Sequence, residues 1–342
     1  MAATFSLIAY DDRDSVVSLD AHESTLDGTD SQEEDEEVFH QEYGPLEETI
    51  YGWAISNFVR DVFWLSEGSK VTMERMARIV SSMILVILTL CLQVFLLLAV
   101  SRLLSAPAVL EIRETYGQYE ELMYPNHTRL TVNGLPRGIP GYRMEERFAL
   151  MSTPKAKKVC EIPLSHPWYL CSVLFVWTLT CQVELRLIFE TAVRLLWLTP
   201  MVRTPREMLS PQDHNLHVEG LTAVMKFVIA VLLFLPRTLA VLGLLYLGCR
   251  WLTATLGLGD VLLNGLALEF MVLLKELLYN VCMSQRNRVD TQRLLIRPLR
   301  RKNTASLCTF FEGFFWGFLS VVWAVTYIYK FQMVLPQYRW DV

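Results

Sequence analysis

The chain has 342 residues, of which 52% are hydrophobic and 20% charged, and its formal net charge is −5 at pH 7. This apolar content is unusual for a soluble protein of such length, so the composition argues against an ordinary soluble fold and predicts an integral membrane protein. The charge is unevenly divided: residues 1–77 contain 18 acidic and 4 basic residues, whereas the rest of the chain is basic.

The N-terminal region is predicted to be a disordered, acidic, cytosolic tail covering residues 1–44. Asp, Glu and Ser dominate residues 11–42, and residues 33–37 are all acidic. Such a segment cannot bury enough apolar surface to offset the entropy lost on ordering.

Residues 45–77 are predicted to contain an amphipathic helix. Apolar side chains recur at helical spacing from Ile55 to Phe63, and polar side chains such as Arg60 lie opposite them. Two placements remain open at this point. The helix either lies on the inner leaflet, with the Trp53 and Trp64 rings among lipid headgroups, or packs against the membrane body.

The fold is predicted to be all-α, a polytopic transmembrane helix bundle of about five spans occupying residues 78–335. A span needs about 20 predominantly apolar residues to cross the hydrocarbon layer. The apolar stretches that meet this need are 79–101, 167–198, 227–247, 261–282 and 310–328. Between the first two lies a polar outer loop, 102–166, in which Asn133 and Gly134 are typical of a tight turn. Residues 336–342 form a C-terminal tail.

The orientation follows from the basic inner loop, residues 283–304. Its basic residues outnumber its single acidic residue, Asp290, and are Arg286, Arg288, Arg293, Arg297, Arg300, Arg301 and Lys302. Basic loops stay on the cytosolic side. Counting alternating spans back from this loop places the N-terminus and residues 200–226 in the cytosol and residues 102–166 outside. Asn126 in that outer loop starts an N-x-T sequence, so we expect it to be glycosylated. The same seven basic residues predict binding of anionic lipid headgroups.

A polar stripe runs along the second predicted span. Gln182, Arg186, Glu190 and Arg194 are spaced by four, so Glu190 can pair with both arginines. One interpretation is a self-neutralising ladder that lets a long helix leave the membrane. The other is a line of charge facing a water-filled path or a partner helix.

The fourth predicted span carries the deepest carboxyl group, that of Glu269. Glu269, Glu276 and Asn280 share one helical face, and Lys275 lies on the opposite side. We expect Glu269 to face the bundle and to pair with Arg237, which follows Pro236 in the third span. Either a structural hydrogen bond or a proton or cation site would explain such a residue.

Two stretches, Asp260 to Tyr279 (DVLLNGLALEFMVLLKELLY) and Val334 to Val342 (VLPQYRWDV), resemble a set of uncharacterised multi-pass membrane proteins encoded by dinoflagellates. The resemblance covers about the last ninety residues and implies a multi-pass membrane fold without an established activity. Where that set has an acidic pair, this chain has Lys275 and Glu276, which argues against a two-carboxylate cation site.

No enzyme is predicted, because the chain lacks a Walker loop, a GxSxG elbow, an HExxH motif and a dinucleotide fingerprint. The scattered cysteines form no CxxC pair, so neither a metal nor a cofactor is expected. The favoured function is channel-like or carrier-like movement of an ion in the plasma membrane or an endomembrane. The alternative is a membrane scaffold that holds partners through its acidic tail and basic loop, and a membrane enzyme comes third. The expected partner is the lipid bilayer, with self-association left open and no nucleic acid.

Overall fold

The computed structural model of the protein describes residues 43–68, 72–131, 134–212, 215–299, 307–336 and 338. Residues 1–42 of the predicted acidic tail therefore lie outside the described residues, as do Asn133, Arg300, Arg301 and Lys302. The described part is predominantly helical with a few short strands, which confirms the predicted all-α class.

The α-helices of the described part, in chain order, are α1 (Ile50–Ser66), α2 (Met73–Ala99), α3 (Ala106–Met123), α4 (Thr153–Cys160), α5 (Pro167–Ala192), α6 (Ala223–Ile229), α7 (Leu235–Ala254), α8 (Leu258–Cys282), α9 (Gln285–Gln292) and α10 (Leu307–Thr326). The strands are β1 (Gly44–Pro45), β2 (Thr128–Leu130), β3 (Pro136–Gly138), β4 (Leu209–Gln212), β5 (Asn215–Val218) and β6 (Leu294–Ile296). Short π-helical segments join α2 to α3 and α6 to α7 and extend the C-terminal ends of α5 and α10.

Four continuous helical segments among the described residues are long and apolar enough to cross a membrane. They are Met73–Met123, Pro167–Leu198, Ala223–Ala254 and Phe314–Phe331. The predicted fourth span coincides with α8, which has the necessary length but carries four charged side chains. Gly257, with φ at +94°, makes the turn between α7 and α8, a backbone conformation that favours glycine.

One end of the bundle is closed by a four-stranded sheet in the order β1-β6-β5-β4. The β6 strand pairs antiparallel with β1 and parallel with β5, and β5 pairs antiparallel with β4. These strands come from the chain before the first span, the loop between the second and third spans, and the basic loop. All three segments were assigned to the same side of the membrane by the alternation of spans, and the sheet brings them together.

The opposite end of the bundle holds the predicted outer loop and the end of the last span. Helix α3 continues the helix of the first span through a π-helical segment, so this part of the predicted outer loop is more ordered than its polar composition suggests. The β2 and β3 strands form an antiparallel hairpin against α3. The Arg113 Nε donates to the carbonyl oxygen of Val334 at 2.8 Å, which fixes the chain after α10 to this end.

Helix α1 is present as predicted, but it packs inside the body instead of lying on a leaflet. Most of its residues are buried, and it contacts α2, α8 and α9. Trp53 is only 4% exposed, so the expectation that its ring reaches lipid headgroups is wrong. The second placement, a helix packed on the membrane body, is the one observed. Ion pairs from Arg60 to Asp290 (3.2 Å) and from Arg78 to Asp61 (2.9 Å) hold α1 against α9 and α2.

Candidate functional site: a buried ionic cluster

Four charged side chains meet in the interior of the bundle, and we call them the ionic cluster: Glu47, Glu184, Arg237 and Lys275. The Lys275 Nζ lies 2.6 Å from Oε2 of Glu184. The Arg237 Nη2 lies 3.0 Å from Oε2 of Glu47 and 3.5 Å from the same Oε2 of Glu184. The cluster therefore contains two acids and two bases, with the Glu184 oxygen shared between both bases.

Glu184 and Arg237 lie near the middle of their helical segments, Pro167–Leu198 and Ala223–Ala254, whereas Lys275 lies about two turns before the end of α8. Glu184 is about halfway between Trp168 and Trp197, two exposed side chains near the ends of the second span. Arg237 is flanked on its own helix by Leu235 and Leu239, which are exposed apolar residues. A charge at the centre of a bilayer costs about 2.5 to 3.5 kcal/mol unless protein or water surrounds it. Mutual pairing offsets the cost of burying these charges.

Glu47 reaches the cluster from outside the spanning helices, through a tight turn before α1. Thr49 caps the helix by accepting a hydrogen bond from the backbone N–H of Gly52 at 3.2 Å. Gly52 has no room for a side chain, because a Cβ there would lie 2.0 Å from the carbonyl oxygen of Glu47. The Thr191 hydroxyl donates to Oε1 of Glu47 at 2.7 Å, which holds the second oxygen of that carboxylate.

Arg237 occupies an irregular part of its helix. The π-helical segment Ala230–Phe234 ends two residues before Pro236, the residue predicted to interrupt the third span. The guanidinium lies over the ring of Tyr51, 4.8 Å from its centroid, and its Nε is buried with no hydrogen-bond partner among the described residues. The irregular backbone of this helix therefore lies directly beside a buried charge.

The charges of the cluster tune the groups on the N-terminal segment. Burial by itself raises the pKa of Glu47, but the charge of Arg237, the hydrogen bonds from Thr191 and Arg237, and the charge of Lys275 together outweigh it. The net result is a pKa below the ordinary value, so Glu47 is ionised at neutral pH. Burial raises the pKa of Tyr51 to about 12, which keeps its hydroxyl available as a donor to Oε1 of Gln93 at 3.2 Å.

The predicted pairing of Glu269 with Arg237 is wrong. Glu269 is exposed on the outer face of α8, whereas Arg237 pairs with Glu47 and Glu184. Glu276 is also exposed, 3.8 Å from Lys275, and Asn280 accepts a hydrogen bond from Arg288 at the helix end. The stripe of Glu269, Glu276 and Asn280 exists, but it faces away from the bundle and Lys275 faces in.

The polar ladder of the second span is present only in part. Arg186 Nε and Glu190 Oε1 form an exposed ion pair at 2.6 Å. Arg194 does not complete the ladder, because its guanidinium donates to the backbone oxygens of Gly44, Ile296 and Arg297 in the sheet. Arg194 therefore ties the end of the second span to β1 and β6.

Three members of the ionic cluster were not among the predicted site residues. Glu184 has a sequence signal, because it is an acidic residue inside an apolar stretch. It lies outside the spacing by four that defines the predicted polar stripe. Lys275 was placed on the face opposite Glu269, which is correct, and that face is the buried one. Nothing in the sequence marks Glu47 as a site residue, since it belongs to a polar segment. Only the tertiary fold places its carboxylate inside the bundle.

The basic loop is partly engaged in contacts of its own. Arg286 and Arg293 are exposed, whereas Arg297 Nη2 lies 3.1 Å from Oε2 of Glu219 and Arg288 lies over the Tyr279 ring. Asn126, the predicted glycosylation site, is exposed and directly precedes the β2 hairpin, with φ at +61°. Among the described residues no three His, Cys, Asp or Glu side chains converge to hold a metal ion.

Comparison with known proteins gives no relative: no family model, no curated protein and no solved structure matches the chain. The resemblance of its last ninety residues to the dinoflagellate set therefore stays a prediction from sequence. The chain is a mainly helical protein with apolar helices suited to a membrane.

Proposed function

We propose that the protein is a non-enzymatic membrane protein that moves an ion or a small charged solute by a carrier-like mechanism. The ionic cluster is the coupling site in this proposal. The membrane is the plasma membrane or an endomembrane, and the sheet end of the bundle faces the cytosol.

The single observation that carries the proposal is the sharing of one Glu184 oxygen between two bases from two other helices. Buried ionisable groups at membrane depth are expensive, and in transporters they mark ion or proton pathways. Neutralising Glu184 would take from Lys275 its nearest acid and leave Arg237 paired with Glu47 alone. An incoming proton or cation at this carboxylate therefore competes with contacts that join three helices.

Two further features support movement at this site. Glu47 belongs to no spanning helix, so its carboxylate can leave Arg237 without separating the spans from one another. The π-helical segment and Pro236 lie next to Arg237, which is a place where a spanning helix can bend. Together they supply a removable partner and a helix that can respond to its removal.

A membrane scaffold is the second candidate, and one observation favours it. The two acids and two bases of the cluster neutralise each other completely, as expected if the cluster only fastens the N-terminal segment to the bundle. A scaffold would need the fastening but not its release.

Flux assays on the purified protein in liposomes separate these candidates. We expect proton or monovalent-cation flux from the parent, and a loss of at least about tenfold in Glu184→Gln with the fold retained. Glu111→Gln is the matched control, since it removes a carboxylate that pairs with Lys158 at 2.8 Å on the surface of the outer end. No flux from the parent under proton, sodium and potassium gradients would contradict transport of these ions. Equal flux from parent and Glu184→Gln would remove the cluster from the mechanism.

A further inference from the structure

The outer face of α8 carries a carboxyl group that has no partner in the described part of the chain. Glu269 lies near the middle of this 25-residue helix and is exposed, surrounded by the exposed apolar side chains of Leu262, Leu266, Phe270 and Leu273. The other polar groups on this face have contacts, since Glu276 lies near Lys275 and Asn280 accepts from Arg288. Glu269 forms no hydrogen bond or ion pair with any described residue.

The exposed face of α8 has two edges of different character. The edge of Leu263, Phe270, Leu277 and Val281 is entirely apolar and suits lipid. The other edge, which we call the Glu269 seam, repeats every three and four residues and consists of Leu262, Leu266, Glu269, Leu273, Glu276 and Asn280. Alternating spacings of four and three residues are the pattern with which two helices pack side by side in a left-handed pair. A carboxyl in the middle of such a seam is costly against lipid and tolerable against another helix.

We propose that the Glu269 seam is a contact between two copies of this chain, in which the α8 helices run parallel across a two-fold axis. A two-fold contact places each Glu269 opposite its equivalent, and a carboxylic acid is self-complementary because it both donates and accepts a hydrogen bond. Two carboxyl groups that share a proton form a hydrogen bond with each other and need no basic partner.

In the described part of the chain every residue of the seam is exposed. Helix α10 packs against α5, and the segments outside the described residues that exceed a few residues are the acidic 1–42 and the basic 300–306. Neither composition suits the centre of a bilayer. The contact uses the exposed face of α8 and none of the four residues of the ionic cluster, although Glu276 of the seam lies 3.8 Å from Lys275.

Cysteine cross-linking of the full-length protein in membranes tests the contact, in a background whose exposed native cysteines are replaced by serine. Leu262→Cys and Leu273→Cys lie on the seam, and Leu263→Cys and Phe270→Cys are matched controls that are at least as exposed but lie on the lipid edge. We expect cross-linked dimers from the seam positions and none from the controls. Equal cross-linking at both edges, or cross-linking of the controls alone, overturns the proposal.

Mass photometry of the parent chain in lipid nanodiscs gives a test without cysteines. We expect dimers from the parent and from Glu269→Gln, whose amide also donates and accepts, and a severalfold lower dimer fraction from Glu269→Leu. A parent chain that is monomeric in nanodiscs overturns the proposal. If the parent is monomeric in nanodiscs and the Leu262→Cys variant is cross-linked to a different protein in native membranes, the seam binds a helix of that other protein. Neither test measures transport, so a negative result here leaves the proposed function untouched, and a negative flux assay leaves this contact untouched.

Discussion

The Lys275 ammonium lies 2.6 Å from a Glu184 carboxylate oxygen that also contacts Arg237, so one acid from the second span binds bases from two other helices. Removing one partner of a buried pair leaves an uncompensated charge, which costs more than the pair itself contributes. We therefore expect Lys275→Met to destabilise the protein by about 3 to 5 kcal/mol.

The double variant Glu184→Gln with Lys275→Met removes the unpaired charge and should recover much of that loss. Thermal unfolding in nanodiscs measures both variants. Lys158→Met, which breaks the exposed pair with Glu111, should leave the midpoint unchanged. A Lys275→Met midpoint as high as that of Lys158→Met would show that the cluster is unimportant for stability.

Gly52 should be as important as Glu47 itself, although it carries no functional group. A methyl group at position 52 would lie 2.0 Å from the Glu47 backbone oxygen, so Gly52→Ala must push Glu47 away from Arg237. We expect Gly52→Ala and Glu47→Gln to lower the unfolding midpoint by similar amounts. Gly259→Ala is the control, because nothing lies within 4 Å of its Cβ. If Gly52→Ala behaves like Gly259→Ala, the turn does not position Glu47 as described.

The contribution of Glu47 should depend on pH in a defined direction. Burial raises the pKa of Glu47, but Arg237, Thr191 and Lys275 together lower it by more than burial raises it. The pKa in the folded state therefore lies below the pKa in the unfolded state. A depressed carboxyl pKa stabilises the fold above the unfolded value of about 4.3. That stability is lost as the pH falls through the lower folded-state pKa. The difference in unfolding midpoint between the parent and Glu47→Gln should be constant near neutral pH and shrink in acid. A difference that grows in acid would contradict this assignment.

The orientation of the bundle is testable at Asn126. The charge asymmetry predicts that the end with α3 and the β2 hairpin is outside, and Asn126 is exposed there. We expect an endoglycosidase-sensitive mobility shift in the parent that Asn126→Gln abolishes. A glycan on an acceptor engineered near Arg293, with none at Asn126, would reverse the orientation.

Binding of anionic lipid should depend on only some residues of the basic loop. Arg286 and Arg293 are exposed, and each is expected to contribute about 1 kcal/mol at low ionic strength. The Arg286→Gln, Arg293→Gln double variant should retain less anionic lipid on purification, as measured by mass spectrometry. Arg297→Gln should retain as much as the parent, because Arg297 already pairs with Glu219. Equal lipid retention by the parent and the double variant would leave the loop as an orientation signal only.

The sequence by itself determined the helical class, the regions of most of the spans and their alternation between two ends. Each of these follows from local composition, because a run of about 20 apolar residues has few alternatives to a membrane helix. The alternation then placed the N-terminal segment, residues 200–226 and residues 283–304 at one end, which is where the β1-β6-β5-β4 sheet forms.

Only the tertiary structure decided which charges meet. Periodicity separates the two faces of α8 but does not reveal which face is buried, so Glu269 was expected inside and Lys275 was overlooked. The contact between Glu47 and Arg237 joins residues 190 positions apart, and a turn that needs Gly52 creates it. Spacing along one helix predicts neighbours on that helix, whereas a buried ionic cluster depends on the rotation and depth of several helices relative to one another.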